Sequence, residues 1–127
     1  MQKILVREDD ASLRTLMSRS LRSKGFEVVT ARDGGEGIAM WDFERPDLVV
    51  TDLYMPNVDG IEAIMALRAR QPDIPIVAVS GGDSRASFLA LDSAGDLGAT
   101  VLLAKPFLPD QLYEAVVKAL SHPPGGA

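Results

Sequence analysis

The chain has 127 residues, of which 46% are hydrophobic and 24% charged, as expected for one globular domain. It contains no cysteine, which excludes disulfides, thiolate metal sites and a catalytic thiol, and the expected compartment is the cytoplasm. The net charge of −5 comes without a cluster of Lys and Arg, and the apolar run after Met1 is short, so we expect no direct nucleic-acid partner and no membrane partner.

Short apolar runs recur along the chain and predict five buried strands, at residues 4–6, 28–29, 48–50, 76–79 and 101–104. Each run is continuous rather than alternating, which is typical of a parallel sheet covered by helices on both faces. The segments between the runs are long enough for crossover helices. The pattern therefore predicts a (βα)5 chain, an α/β fold with a doubly wound five-stranded parallel sheet.

Helix signals lie between these runs. The first helix is predicted by apolar residues at helical spacing before a stop at Gly25, and these are Leu13, Leu16, Met17 and Leu21. Two Asp/Glu pairs have the spacing of capping boxes: Asp33 with Glu36, and Asp59 with Glu62. The last helix has one apolar stripe, formed by Leu112, Val116, Ala119 and Leu120. We expect one domain over residues 1–121 and a flexible tail over residues 122–127.

Polar side chains follow four of the five predicted strands. Ligands of a parallel α/β sheet bind outside the carboxyl ends of its strands, and the residues expected at that edge are Glu8, Asp9, Asp52, Ser80 and Lys105. Three carboxylates repel one another unless a cation lies between them, and Mg²⁺ prefers oxygen ligands of this kind. A carboxylate can be a covalent nucleophile towards a phosphoryl group. The set is sufficient to form an aspartyl-phosphate, with Mg²⁺, Lys105 and Ser80 stabilising charge.

Four segments of the chain, taken in order, resemble the signature blocks of response-regulator receiver domains: ILVREDDASLR, PDLVVTDLYMPNVDGIEAI, IVAVSGG and LLAKPF. A D-x-x-M-P-x-x-D-G block followed about fifty residues later by K-P-F is specific to that family. The resemblance runs from Lys3 to about Leu120. It implies a CheY-like, flavodoxin-like sheet in the strand order 2-1-3-4-5, and a receiver that stands alone as a single-domain response regulator.

The resemblance also implies roles for individual residues. Asp52 would be the phosphoacceptor, and Ser80 and Lys105 would bind the phosphoryl oxygens. The Mg²⁺ ligands would be Asp9 directly, Glu8 directly or through water, Asp52, and the backbone carbonyl of Tyr54. Lys105 and Pro106 would be joined by a cis peptide bond.

A member of this family is a signalling protein that catalyses its own phosphorylation and dephosphorylation rather than an enzyme acting on other substrates. Its phosphodonor would be a histidine kinase or a histidine phosphotransfer protein. The signal would leave by a conformational change of the surface formed by the helix before the fifth strand, the fifth strand itself and the last helix. The downstream target is not indicated by the sequence.

Two residues depart from the family pattern. Arg7 stands where an apolar residue is usual, and we expect it to extend to the rim of the sheet and pair with an acid. Leu102 stands where many members carry a Tyr or Phe that rotates on phosphorylation, so we expect the switch to depend on residues 80–96 instead.

Three alternatives remain. A receiver-shaped interaction module that no longer accepts phosphate is favoured by Arg7 and Leu102. A haloacid-dehalogenase-like phosphatase would need a second Asp two residues after its nucleophile, where this chain has Tyr54. A flavodoxin-like FMN protein shares the fold class, but Glu8, Asp9 and Asp10 would repel the cofactor's phosphate.

Overall fold

The computed structural model describes residues 2–52, 60–80 and 101–121. Strands and helices alternate through these residues in the order β1 (Lys3–Arg7), α1 (Ala11–Ser23), β2 (Glu27–Ala31), α2 (Gly34–Glu44), β3 (Leu48–Asp52), α3 (Gly60–Arg70), β4 (Ile76–Ser80), β5 (Val101–Ala104) and α4 (Pro109–Ser121). All five predicted strands are present. The helix predicted between the fourth and fifth strands falls on residues outside the described ranges, as does the predicted tail.

The five strands form one parallel sheet in the order β2-β1-β3-β4-β5. This confirms the predicted doubly wound α/β fold and its 2-1-3-4-5 order. The strand register aligns the carboxyl ends, because Arg7 lies opposite Thr51 and Ser80 lies opposite Ala104. Residues that follow β1, β3, β4 and β5 are therefore brought to one edge of the sheet.

Both faces of the sheet are buried, as the continuous apolar runs predict. On one face, Val6 and Val50 pack with Met17 of α1 and Val116 of α4. On the other, Leu5, Val49 and Ile76 pack with Trp41 of α2 and Leu67 of α3. Two separate core clusters fix the sheet between two helical layers, so its carboxyl edge is held from both sides.

The helix ends follow the predicted capping signals where these are described. Asp33 is the N-cap of α2, and its side chain accepts a hydrogen bond from the Glu36 backbone N–H at 2.9 Å. Gly25 follows α1 with φ of 94°, a left-handed conformation that glycine adopts without steric cost. The capping pair predicted for Asp59 lies outside the described residues. Leu16 departs from the predicted stripe of α1, since 51% of it is exposed.

Arg7 is buried, with 2% of its surface exposed, so the prediction that it extends to the rim is wrong. Its Nη1 donates a hydrogen bond to the Thr51 hydroxyl at 2.8 Å, between neighbouring strands. The side chain passes under α2 at Gly37, where an added Cβ would lie 3.0 Å from Arg7 Cδ. A glycine inside this helix thus makes room for the arginine below it.

Among the described helices, none has both the length and the apolar character needed to cross a bilayer.

Candidate functional site

The structure brings predicted site residues from three strand ends into contact. The Lys105 ammonium donates to Glu8 Oε1 at 2.7 Å and to Asp52 Oδ2 at 2.5 Å. Asp52 ends β3, Glu8 follows β1 and Lys105 follows β5, so the contact joins residues far apart in the chain. Ser80 is buried at the end of β4, where its carbonyl accepts a hydrogen bond from the Lys105 backbone N–H at 2.7 Å.

Three carboxyl groups lie close enough to share one metal ion. One oxygen of each of Glu8, Asp9 and Asp52 lies within 4.8 Å of the others. Glu8 and Asp52 are buried whereas Asp9 is exposed, so the cluster opens to solvent on one side. Hard oxygen donors with access to water fit Mg²⁺, which usually keeps several water ligands in proteins. Tyr54 lies outside the described residues, so its carbonyl ligand stays a prediction.

The electrostatics of the cluster reflect a shortage of positive charge. Burial is the main cause that raises the pKa of Glu8, to about 7, and the Asp52 charge raises it further although the Lys105 hydrogen bond opposes them. Burial alone would lower the pKa of Lys105, but its hydrogen bonds and charge interactions with Asp52 and Glu8 outweigh burial and raise it. Lys105 therefore stays charged, and its one ammonium donates hydrogen bonds to two buried carboxyl groups.

Two supporting residues were not anticipated as part of the site. Arg14 of α1 donates from Nη1 to the carbonyl of Glu8 at 2.9 Å and to that of Asp9 at 3.4 Å. These hydrogen bonds connect the two acidic residues that follow β1 to the helix. Thr51 accepts the hydrogen bond from Arg7 directly before Asp52. The sequence offered a signal for Arg14, because it lies one helical turn after Asp10, the N-cap of α1, and a helical side chain leans towards the helix N-terminus. For Thr51 there was none, since its partner lies on another strand.

A cleft opens beside Lys105, between α1 and the segment that joins β5 to α4. Its volume is about 340 Å³, and it is lined by Leu13, Lys105, Pro106 and Phe107. The peptide bond between Lys105 and Pro106 is cis, as the resemblance implies. The cleft gives a mostly apolar approach to the ammonium that contacts Asp52.

The family model described as the response regulator receiver domain matches residues 4–117. Among curated relatives, the transcriptional regulatory protein PrrA of Mycobacterium tuberculosis is 39% identical over 118 residues, which cover 93% of this chain and 49% of the relative. The alkaline phosphatase synthesis transcriptional regulatory protein PhoP of Bacillus subtilis is 38% identical over 120 residues, covering 94% and 48%. The chain thus spans about half the length of these curated relatives.

Solved structures give a similar result. The chemotaxis response regulator CheY4 of Vibrio cholerae has a TM-score of 0.84 and 31% identity, with 94% of this chain and 98% of that chain covered. NtrX from Brucella abortus has a TM-score of 0.88 and 29% identity, with 94% and 27% covered. The match therefore covers nearly all of one solved chain and about a quarter of another, and a receiver that stands alone stays a prediction.

The prediction of no direct nucleic-acid partner is wrong, because PrrA and PhoP are named as transcriptional regulators. It rested on the net charge of −5 and on the absence of a Lys/Arg cluster, and both concern only the 127 residues of this chain. A segment that matches half of such a regulator does not report the contacts made by the other half. The net charge of one segment bears only on the partners of the surface that carries it.

Proposed function

The chain belongs to the response regulator receiver domain family, and we propose that its Asp52 accepts a phosphoryl group from a histidine kinase or a histidine phosphotransfer protein. The observation that carries this proposal is the Lys105 ammonium, which bonds both Asp52 and Glu8 at the carboxyl edge of the sheet. The cluster combines a buried carboxylate nucleophile with a fixed cation, as transfer to an aspartate requires.

Mg²⁺ would be held by Glu8, Asp9 and Asp52, together with the backbone carbonyl of Tyr54. When bound, it neutralises part of the charge on the phosphoryl oxygens. The clustered carboxyl oxygens and the raised pKa of Glu8 support this assignment, since a divalent cation would favour the ionised form that burial now disfavours.

The side chains of the chain itself would carry the transfer. An Asp52 oxygen forms a bond to phosphorus while the phosphorus–nitrogen bond to the donor imidazole breaks, and the freed imidazole nitrogen takes a proton from solvent. Lys105 exchanges its bond to Asp52 for one to an equatorial phosphoryl oxygen, and the Ser80 hydroxyl donates to another. Because the pKa of Lys105 is raised, the ammonium remains protonated throughout.

The cleft lined by Leu13, Pro106 and Phe107 would admit the donor. The lining of this cleft includes Lys105, whose ammonium contacts Asp52, so a donor imidazole that enters it would approach the acceptor carboxylate. The signal would then leave through β5 and α4 together with the preceding segment, whose residues 81–100 are outside the described ranges. The downstream target remains open, and a cytoplasmic location remains a prediction.

The test is phosphorylation with acetyl phosphate and with a phosphorylated histidine phosphotransfer protein, each with and without Mg²⁺. Wild type should gain the mass of one phosphoryl group in a Mg²⁺-dependent reaction, and Asp52→Asn should gain none. Asp42→Asn, an exposed aspartate on α2, is the matched control and should behave as wild type. Incorporation that survives Asp52→Asn would contradict the assignment.

A further inference from the structure

A polar groove lies between α1 and the edge strand β2, away from the phosphoacceptor carboxylates. Its volume is about 310 Å³, and its lining consists of Arg14, Thr15, Ser18, Arg19, Arg22 and Thr30. Every one of these side chains is polar, and half of them are arginines. In a chain with a net charge of −5, the groove is a local concentration of positive charge, so the expectation that Lys and Arg form no cluster is wrong at this surface.

Two of the three guanidinium groups are held in place by backbone carbonyls. Arg14 Nη1 donates to the carbonyl of Glu8 at 2.9 Å, and Arg22 Nη2 donates to the carbonyl of Val28 at 3.0 Å. Within residues 2–52, 60–80 and 101–121, the ion pairs involve other cations, and no carboxylate pairs with Arg14, Arg19 or Arg22. The bonds orient two of the charges without neutralising them.

The spacing of the arginines favours a ligand with more than one anionic group. Arg14 and Arg22 are eight residues apart on α1, which is about two turns or roughly 12 Å along the helix axis. Arg19 lies between them and is exposed. Arg19 and Arg22 are three residues apart on α1, a spacing at which like charges repel each other, and a multivalent anion would relieve that repulsion.

We propose that the α1–β2 groove, defined by the six lining residues above, binds a small anion that carries two or more phosphate groups. Arginine presents a planar fork of N–H donors that matches phosphate oxygens, and the hydroxyls of Thr15 and Thr30 add uncharged donors. The groove volume is at the lower end of the range for small-molecule sites.

The experiment is a calorimetric and amide NMR titration without Mg²⁺, at constant ionic strength, with inorganic tripolyphosphate, ATP and inorganic phosphate. Tripolyphosphate and ATP should bind at least about tenfold more tightly than inorganic phosphate, as expected for additional charged hydrogen bonds. Equal binding of the first two would identify inorganic polyphosphate chemistry as sufficient, and tighter binding of ATP would identify a nucleoside polyphosphate. Amide shifts should centre on Thr15, Ser18 and Thr30.

Two double variants with the same loss of positive charge test whether binding depends on the groove or on the net charge of the chain. Arg19→Gln with Arg22→Gln should weaken tripolyphosphate binding at least about tenfold, whereas Arg32→Gln with Arg45→Gln removes the same charge elsewhere and should preserve binding. If the double variant fails to fold, Arg19→Gln alone is the test. It keeps the Arg22 hydrogen bond to Val28 and should also weaken tripolyphosphate binding. Equal affinities in both double variants, or shifts centred on Ser80 and Lys105, would overturn the proposal. Binding only to duplex DNA or to anionic vesicles would overturn it as well.

Discussion

Glu8 should make the stability of the metal-free protein depend on pH. Its pKa is raised from 4.5 to about 7, chiefly by burial, so the folded state keeps a proton that the unfolded chain releases. The favourable contribution is fully present below about pH 4.5 and is lost as pH rises through about 7. A shift of this size corresponds to about 3 kcal/mol of unfolding free energy, as an order of magnitude.

Urea unfolding of wild type and Glu8→Gln, in a chelator across that pH window, measures the contribution as a difference. Glutamine is neutral at every pH, so the variant should gain stability relative to wild type as pH rises, by about 3 kcal/mol near pH 8. Glu114→Gln changes an exposed glutamate of α4 and is the matched control. Taking differences removes the contributions of carboxyl groups that do not interact with Glu8.

Saturating Mg²⁺ should reduce the difference, because a cation bound to the ionised cluster stabilises the native state. Lowering the pH should correspondingly weaken Mg²⁺ binding to wild type, since Glu8 must lose its proton to act as a ligand. A difference between wild type and Glu8→Gln that is independent of pH would refute the argument that burial keeps Glu8 neutral. So would a wild type that gains stability relative to the variant between about pH 5 and 7.

The sheet and the position of the site could be predicted because they depend on local patterns. Continuous apolar runs such as residues 48–50 need cover on both faces, which only a parallel sheet between helices readily provides. Once the strands are parallel, their carboxyl ends share an edge whatever the details of packing. Glu8, Asp52 and Lys105 could therefore be grouped correctly before their contacts were known.

The surroundings of Arg7 could not be predicted in the same way. Its burial depends on Thr51 of β3 and on the space above Gly37 of α2, which are both distant in sequence. Periodicity reports which face a residue occupies but not whether a neighbouring element leaves room for a long side chain. The exposure of Leu16 shows the same limit, because it shares the spacing of Met17 and Leu21 without their cover.

Two further variants test the packing around the site and its surface. Leu102 is 40% exposed on β5, so Leu102→Ala should cost about 1 kcal/mol or less in unfolding free energy, below the usual range for a buried leucine, and phosphorylation should still shift amide signals elsewhere. Loss of those shifts would show that Leu102 carries the switch. Helix propensity alone would raise the unfolding free energy of Gly37→Ala by about 1 kcal/mol. The added Cβ would, however, lie 3.0 Å from Arg7 Cδ, and the buried Arg7 is hydrogen-bonded to Thr51. We therefore expect no gain in wild type and a gain of about 1 kcal/mol in an Arg7→Val background, a coupling that a double-mutant cycle measures. Gly35→Ala, whose Cβ has only an ordinary contact, should behave alike in both backgrounds. Equal effects of Gly37→Ala with and without Arg7 would mean that the glycine is not there to accommodate the arginine.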